Sequence, residues 1–192
     1  MGDPENTILD IEWEMFSAVN EGGPKASCQE DEVFYKLMRQ SQLSVWEPEV
    51  RASYLSDLET ARNGGRNIMI EKYAYMMAFT DPDYYAMIAH ILPEVSEEKK
   101  LLADRIVSIQ TREAEALAAG AGDHVSQARP VSSSDDAAGS VSSETYSRCE
   151  LWTYSAETLK LLLEQIERME SHGRSYVLEV LRNTREVQRN YF

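Results

Sequence analysis

The chain has 192 residues, of which 43% are hydrophobic, 19 are Lys or Arg and 33 are Asp or Glu, so its formal net charge is −14. This acidity argues against a nucleic-acid partner, because proteins that coat phosphates need a basic surface. No apolar run is long enough to cross a bilayer, so we expect no membrane partner. The start of the chain lacks a secretory signal, and two cysteines make no disulfide framework, which favours a cytoplasmic protein.

Apolar residues recur with helical spacing along most of the chain, and no stretch alternates with the period of a strand. Pro48 is suited to the first turn of a helix, and Gly64 and Gly65 are suited to end it. Similar start and stop signals predict nine helices, over about 4–19, 29–47, 48–63, 67–79, 81–92, 96–119, 143–154, 155–171 and 175–189. The sequence therefore predicts an all-α bundle of seven to nine helices.

The charge is unevenly distributed and suggests a division of the chain. Residues 1–119 carry 11 basic and 22 acidic side chains and form an acidic helical block. Residues 120–143 are rich in Ser, Ala and Gly and hold few large aliphatic side chains, so they predict a flexible linker or loop insertion. Residues 144–192 are nearly neutral, and we expect their helices to pack on the same domain.

A weak internal repeat appears when the sequence is shifted by 108 residues. The matching pairs are Leu55 and Leu163, Leu58 and Ile166, Glu59 and Glu167, Gly65 and Gly173, Arg66 and Arg174, and Glu71 and Glu179. Each copy would consist of a helix, a Gly-Arg turn and a second helix. The pattern indicates an internal duplication of an αα-hairpin.

Glu71 and Lys72 interrupt the most apolar predicted helix. Adjacent helical residues point about 100° apart, so the two cannot share one narrow exposed stripe and at least one should be buried. A buried charge needs a partner, and its pKa shifts, as catalytic acids and bases require. The alternative is a structural ion pair.

Two other carboxylates lie on or beside apolar helix faces. Glu12 has Ile8 four residues before it and Phe16 four residues after it, and Asp57 borders the face that carries Tyr54. Together with Glu71 they could form a polar centre for acid–base chemistry or cation binding. The alternative is that all three are ordinary boundary residues.

The segment Gly64-Gly65-Arg66-Asn67 opens a helix, so its free amides and Arg66 could hold a carboxylate or phosphate. The alternative is a C-cap followed by an N-cap. Three arginines on the last helix, Arg182, Arg185 and Arg189, form a basic stripe that is typical of a solvated face near a helix C-terminus.

Metal binding and thiol catalysis have little support. None of His90, His124 and His172 lies in an E-x-x-H motif, so the chain lacks the signature of a di-iron bundle and we predict no metal ligands. Three carboxylates follow Cys28, which favours a structural cysteine over a catalytic thiol. The sequence identifies no cofactor.

Several motifs resemble an uncharacterised bacterial domain-of-unknown-function family, DUF4125. The resemblance is carried by E-W-E-M-F at 12–16, A-S-C-Q at 26–29, M-R-Q-S-Q at 38–42, S-Y-L-S-D-L at 53–58, G-R-N-I-M-I-E-K-Y-A-Y-M-M at 65–77 and T-Y-S-R-C-E-L-W-T-Y-S-A-E-T-L at 145–159. It covers most of the chain apart from the linker and implies no activity. It implies that the following residues lie in family motifs: Glu12, Trp13, Cys28, Gln29, Gln42, Asp57, Arg66, Asn67, Glu71, Lys72 and Tyr73. Cys149 stands where a small residue such as glycine is expected.

Two kinds of function remain open. The first is a small-molecule enzyme or ligand-binding protein with a polar pocket between helices. Its predicted catalytic residues are Glu71, Lys72, Glu12 and Asp57, and its predicted substrate-binding residues are Arg66, Asn67, Gln42 and Tyr73. The alternative is a non-catalytic protein–protein interaction module with an acidic surface. The sequence specifies neither a substrate nor an oligomeric state.

Overall fold

The computed structural model describes residues 4–20, 29–121, 129–136 and 140–191. The α-helices in these ranges are α1 (Pro4–Ser17), α2 (Glu32–Leu43), α3 (Pro48–Asn63), α4 (Ile68–Thr80), α5 (Pro82–Ile88), α6 (Glu97–Ala121), α7 (Ser143–Leu151), α8 (Ala156–Ser171) and α9 (Tyr176–Tyr191). Short 3-10 turns lie at Ala89–Ile91 and Ser133–Asp135. The predicted all-α class and the predicted number of helices are confirmed for the described residues.

The chain divides into two compact units. The first unit is Met1–Ile70 together with Glu179–Phe192, and the second is Glu71–Leu178. The division falls inside two helices, because Ile70 and Glu71 both belong to α4, and Leu178 and Glu179 both belong to α9.

In the first unit, α1 packs against α2 and α3. The core includes Trp46, whose ring meets the ring of Tyr54 edge-on at a centroid distance of 5.3 Å. The later part of α9 is fixed to the end of α2, because the side-chain amide of Asn183 donates hydrogen bonds to the backbone carbonyl oxygen of Ser41 and to the hydroxyl of Ser44. These contacts place two segments from opposite ends of the sequence in one unit.

In the second unit, α6 packs against α7 and α8. The part of α4 that belongs to this unit supplies Tyr75 and Met76 to a hydrophobic cluster around the buried Cys149. The ring of Tyr75 meets that of Trp152 edge-on at 5.8 Å. Trp152 directly follows the end of α7, just as Ser44 directly follows the end of α2. In the second unit α4 contacts this position through Tyr75, and in the first unit α9 contacts it through Asn183.

The helix bounds repeat at the offset that the sequence suggested. Adding 108 to the bounds of α3 gives those of α8, adding it to the first residue of α4 gives that of α9, and adding it to the last residue of α2 gives that of α7. The turns repeat too: the amide of Arg66 donates to the carbonyl of Ala61, and the amide of Arg174 donates to that of Met169. Gly65 and Gly173 both have a φ of 70°. A left-handed residue suits a helix C-terminus, and glycine adopts it without strain.

Some helices are shorter than their apolar pattern predicted. α2 begins at Glu32 because the side chain of Asp31 accepts a hydrogen bond from the amide of Phe34 and caps the helix. α5 ends at Ile88 instead of continuing to Pro93, because the chain tightens into a 3-10 turn. α6, in contrast, continues through Gly120.

The predicted linker at 120–143 falls partly on residues 122–128 and 137–139, which lie outside the described residues. The described part is hydrogen-bonded to the start of α7. Asp136 accepts from the amide of Ser142 and from the hydroxyl of Thr145, and the carbonyl of Pro130 accepts from the amide of Ser143. Among the described helices, none combines the length and apolar character needed to span a bilayer.

Candidate functional site

Glu12 forms the centre of a buried polar cluster in the first unit. It lies on the apolar face of α1, and none of its surface is exposed. Arg39 on α2 donates two hydrogen bonds to its carboxylate, from Nε to Oε2 at 2.8 Å and from Nη2 to Oε1 at 2.6 Å. The hydroxyl of Tyr54 on α3 donates to Oε1 at 2.6 Å. One carboxylate therefore joins α1, α2 and α3.

Gln42 joins the same cluster through Arg39. Its side-chain oxygen accepts a hydrogen bond from Nη1 of Arg39, one turn earlier on α2. This bond orients the guanidinium toward Glu12, since a planar guanidinium held at one edge has little freedom to rotate. The structure thus brings together two predicted site residues, Glu12 and Gln42.

Asn67 has a capping role at the start of α4. Its side-chain oxygen accepts hydrogen bonds from the amides of Met69 and Ile70 at 3.0 and 3.1 Å. Its side-chain nitrogen donates to the carbonyl of Met15 at 2.8 Å. The backbone amides of Met69 and Ile70, which we considered as donors to a bound anion, therefore already donate to Asn67. The turn is a helix C-cap followed by an N-cap, which was the alternative interpretation. Arg66, in the same turn, is exposed.

Lys72 forms a second polar centre, in the second unit, and only 5% of its surface is exposed. Its Nζ donates to the hydroxyl of Tyr146 at 2.7 Å and lies 3.5 Å from a carboxylate oxygen of Glu150. The rings of Tyr146 and Tyr73 have their centroids 4.5 and 5.0 Å from the same nitrogen. Tyr154 donates to the other oxygen of Glu150 at 2.8 Å.

These contacts keep Lys72 charged. Burial lowers the pKa of a lysine, but Tyr146, Glu150 and Tyr73 favour the ammonium more strongly, so the pKa of Lys72 is raised above 10.5. A lysine that acts as a base must lose its proton near neutral pH. The environment of Lys72 opposes that role and supports an ion pair.

The remaining predicted residues are placed as follows. Glu71 is buried beside Lys72 in α4, and Asp57 is half-buried on α3. Glu12, Gln42, Asp57, Arg66 and Asn67 belong to the first unit, and Glu71, Lys72 and Tyr73 belong to the second. The predicted burial of at least one charge in α4 is confirmed, whereas the assignment of these eight residues to catalysis or substrate binding stays a prediction.

The described residues contain no group of three or more His, Cys, Asp or Glu side chains arranged to hold a metal ion. Cys28 lies outside the described residues, as does His124. Cys149 is buried, and burial raises the pKa of its thiol to about 12. A thiol with that pKa stays protonated and unreactive at neutral pH.

Sequence reasoning missed five residues of these centres: Arg39, Tyr54, Tyr146, Glu150 and Tyr154. All five lie inside the motifs that carry the family resemblance, so a polar residue within a motif was the signal available. The repeat gave a further signal for Glu150, which lies 108 residues after Gln42.

A family model described as "Protein of unknown function (DUF4125)" matches residues 5–188. No curated protein and no solved structure matches the chain significantly.

Proposed function

The chain belongs to this family of proteins of unknown function, and we propose that it is a non-catalytic interaction module that binds a basic partner. The observation that carries the proposal is an exposed apolar ridge on the second unit. The ridge, here called the α5 ridge, consists of Tyr84, Met87 and Ile91.

The side chains of the α5 ridge are unusually exposed for their size. The exposed fractions are 45% for Tyr84, 63% for Met87 and 70% for Ile91. Their spacing of three and four residues puts them on one side of α5 and its 3-10 extension. No residue of α5 or of the following 3-10 turn is buried. Tyr and Met are enriched at protein interfaces, so this segment is better suited to a partner than to the unit's own core.

The charge around the α5 ridge indicates that its partner is basic. Residues 81–98 contain no Lys or Arg. They contain five exposed carboxylates. Glu97 and Glu98 pair with Lys100 and Lys160. The negative charge nearest the α5 ridge comes from Asp81, Asp83 and Glu94. A segment with apolar side chains flanked by Lys or Arg complements this surface in both respects.

The polar centres fit structural roles better than catalytic ones. Glu12 has no exposed surface, and both of its oxygens accept hydrogen bonds from Arg39. A substrate would have to displace Arg39 or Tyr54 to reach it. Lys72 is held as an ammonium by Tyr146 and Glu150.

The competing proposal is a small-molecule site that uses Glu71 and Lys72 with the other predicted residues. Its support is the burial of two adjacent charges in one apolar helix. A Glu71→Gln variant separates the two proposals. Partner binding through the α5 ridge should be unchanged in this variant, because it does not depend on the carboxylate, whereas a small-molecule site at Glu71 should lose its function.

The proposal is tested by placing a photo-crosslinking side chain at Met87 in cells that naturally make the protein. The matched control places the same group at Glu164, an exposed residue of α8 in the same unit. We expect a basic partner that is captured from position 87 alone. With that partner purified, Met87→Asp should weaken binding about tenfold or more, and added salt should weaken it further.

Equal capture from both positions would argue against the α5 ridge. Unchanged affinity of the purified partner for Met87→Asp would contradict the proposal directly. Because Met87 is exposed, the variant should melt at the wild-type temperature, which separates a lost contact from a lost fold.

A further inference from the structure

The last part of α9 is packed less deeply in the first unit than the equivalent part of α4 is in the second. Residues 179–191 of α9 and residues 71–80 of α4 correspond at the offset of 108 residues. Four residues in this part of α4 are buried, whereas their four equivalents in α9 are half-buried. The pairs are Glu71 and Glu179, Lys72 and Val180, Tyr75 and Asn183, and Met76 and Thr184.

Residues 179–191, here called the α9 end, lie along α2 and contact it near both of its ends. Asn183 donates to the backbone carbonyl of Ser41 at 3.2 Å. Near the start of α2, the ring centroids of Tyr191 and Phe34 are 5.5 Å apart. The two helices therefore run antiparallel. No residue of the α9 end is buried, so these contacts hold it at the surface of the unit.

The α9 end covers an apolar stripe of α2. Phe34 and Ser41, which contact it, are seven residues apart and lie on one face of the helix. Leu37 and Met38 come three and four residues after Phe34, so they share this face. The three apolar side chains, here called the α2 face, are half-buried. Without the α9 end they would form an exposed stripe with the spacing that binds an amphipathic helix.

We propose that the α9 end is an autoinhibitory segment, which detaches from α2 and leaves the α2 face free to bind an amphipathic helix of a partner. The α9 end is the guide to what fits this face. Asn183, Val187 and Tyr191 are four residues apart and lie on one side of α9, so the partner helix needs polar, aliphatic and aromatic groups at this spacing. Detachment is local, because a segment without buried residues opens far more easily than the whole unit unfolds.

This inference does not rest on the interaction proposed for the α5 ridge. The α9 end and α2 belong to the first unit, and the α5 ridge belongs to the second. Met87→Asp should therefore leave the α9 end unchanged. Either proposal can fail while the other holds.

Hydrogen exchange of the full chain at neutral pH tests the detachment. Mass spectrometry should show that residues 183–191 exchange about a hundredfold faster, or more, than residues 75–80 of α4. Asn183→Ala should speed exchange of the α9 end about tenfold further, because two hydrogen bonds to α2 are lost. The matched control is Asn190→Ala, which changes an exposed asparagine of the same helix and should have little effect. Equal exchange of the two helix parts, or equal effects of the two variants, would overturn the proposal.

A fluorescently labelled peptide of residues 178–191 tests the α2 face, because it competes with the α9 end. Its anisotropy should show binding to the Asn183→Ala protein about tenfold tighter than to the wild type, since the face is free in a larger fraction of the molecules. The same peptide with Val187→Asp is the control and should bind neither protein. Absence of binding to the Asn183→Ala protein, or equal binding of the control peptide, would overturn the proposal.

Discussion

Arg39 and Glu12 form a two-point ion pair in which the carboxylate is fully buried and the guanidinium side chain is 14% exposed. The pair connects α1 to α2, and each of the two charges needs the other to be stable in the interior. Removing one member leaves an uncompensated charge in the interior, which costs far more than removing both.

We therefore expect Arg39→Met to lower the free energy of unfolding by about 3–5 kcal/mol. The double variant Arg39→Met with Glu12→Leu should recover most of that loss, because no buried charge remains. Urea unfolding of the wild type, both single variants and the double variant measures the coupling. A loss below about 1 kcal/mol for Arg39→Met would contradict the assignment, because that is the range of exposed ion pairs.

The ion pair of Lys72 predicts how stability changes at alkaline pH. The pKa of Lys72 is raised in the folded protein relative to 10.5, because the effects of Tyr146 and Glu150 outweigh that of burial. A raised folded pKa means that this contribution is complete below the unfolded value. It is lost as the pH rises from about 10.5 through the folded value.

The wild type should therefore lose stability over this alkaline range more steeply than Lys72→Met, as measured by urea unfolding at a series of pH values. Lys100→Met is the control, because Lys100 makes an exposed pair with Glu97 that solvent screens. Parallel pH curves for the wild type and Lys72→Met would count against the ion pair.

Cys149 should be unreactive in the folded protein. Burial raises the pKa of its thiol to about 12, and alkylation requires an accessible thiolate. In a Cys28→Ser background, iodoacetamide at neutral pH should leave Cys149 unmodified in native buffer and modify it in urea. Mass spectrometry reads both states, and rapid labelling of the native protein would show that the thiol is accessible.

The two left-handed glycines should respond alike to substitution. Gly65 and Gly173 both have a φ of 70°, which strains any residue with a Cβ atom even though no neighbouring atom lies close. Gly65→Ala and Gly173→Ala should each lower the free energy of unfolding by about 1 kcal/mol. Gly120→Ala is the matched control: Gly120 lies inside α6 with open space around it, so alanine should stabilise the protein. Thermal melts of the three variants check the prediction, which fails if all three shift in the same direction.

Local sequence signals predicted most of the helices. Pro48 and the Gly64-Gly65 turn give the bounds of α3, and Ser155 and Gly173 give those of α8, because caps and glycine turns act within a few residues. The end of α5 could not be predicted in this way. Its apolar residues continue past Ile88, and only the three-dimensional course of the chain determines where the helix tightens into a 3-10 turn.

The candidate site was predictable only in part. The pattern around Glu12 and in α4 indicated buried charges, because a charge on an apolar face turns toward the interior together with its apolar neighbours. Their partners were not predictable. Arg39 lies 27 residues from Glu12, and Tyr146 lies 74 residues from Lys72. Such pairings depend on how helices pack, which helical periodicity does not encode.

Because the first unit is built from two segments that are far apart in the sequence, it can complete its folding only late in synthesis. The unit combines Met1–Ile70 with Glu179–Phe192, so its last helical segment leaves the ribosome only after the whole of the second unit. A nascent chain that stops after α8 lacks the residues that bind Ser41 and Ser44. The amino-terminal unit therefore cannot finish folding first, and premature termination anywhere before residue 179 leaves it incomplete.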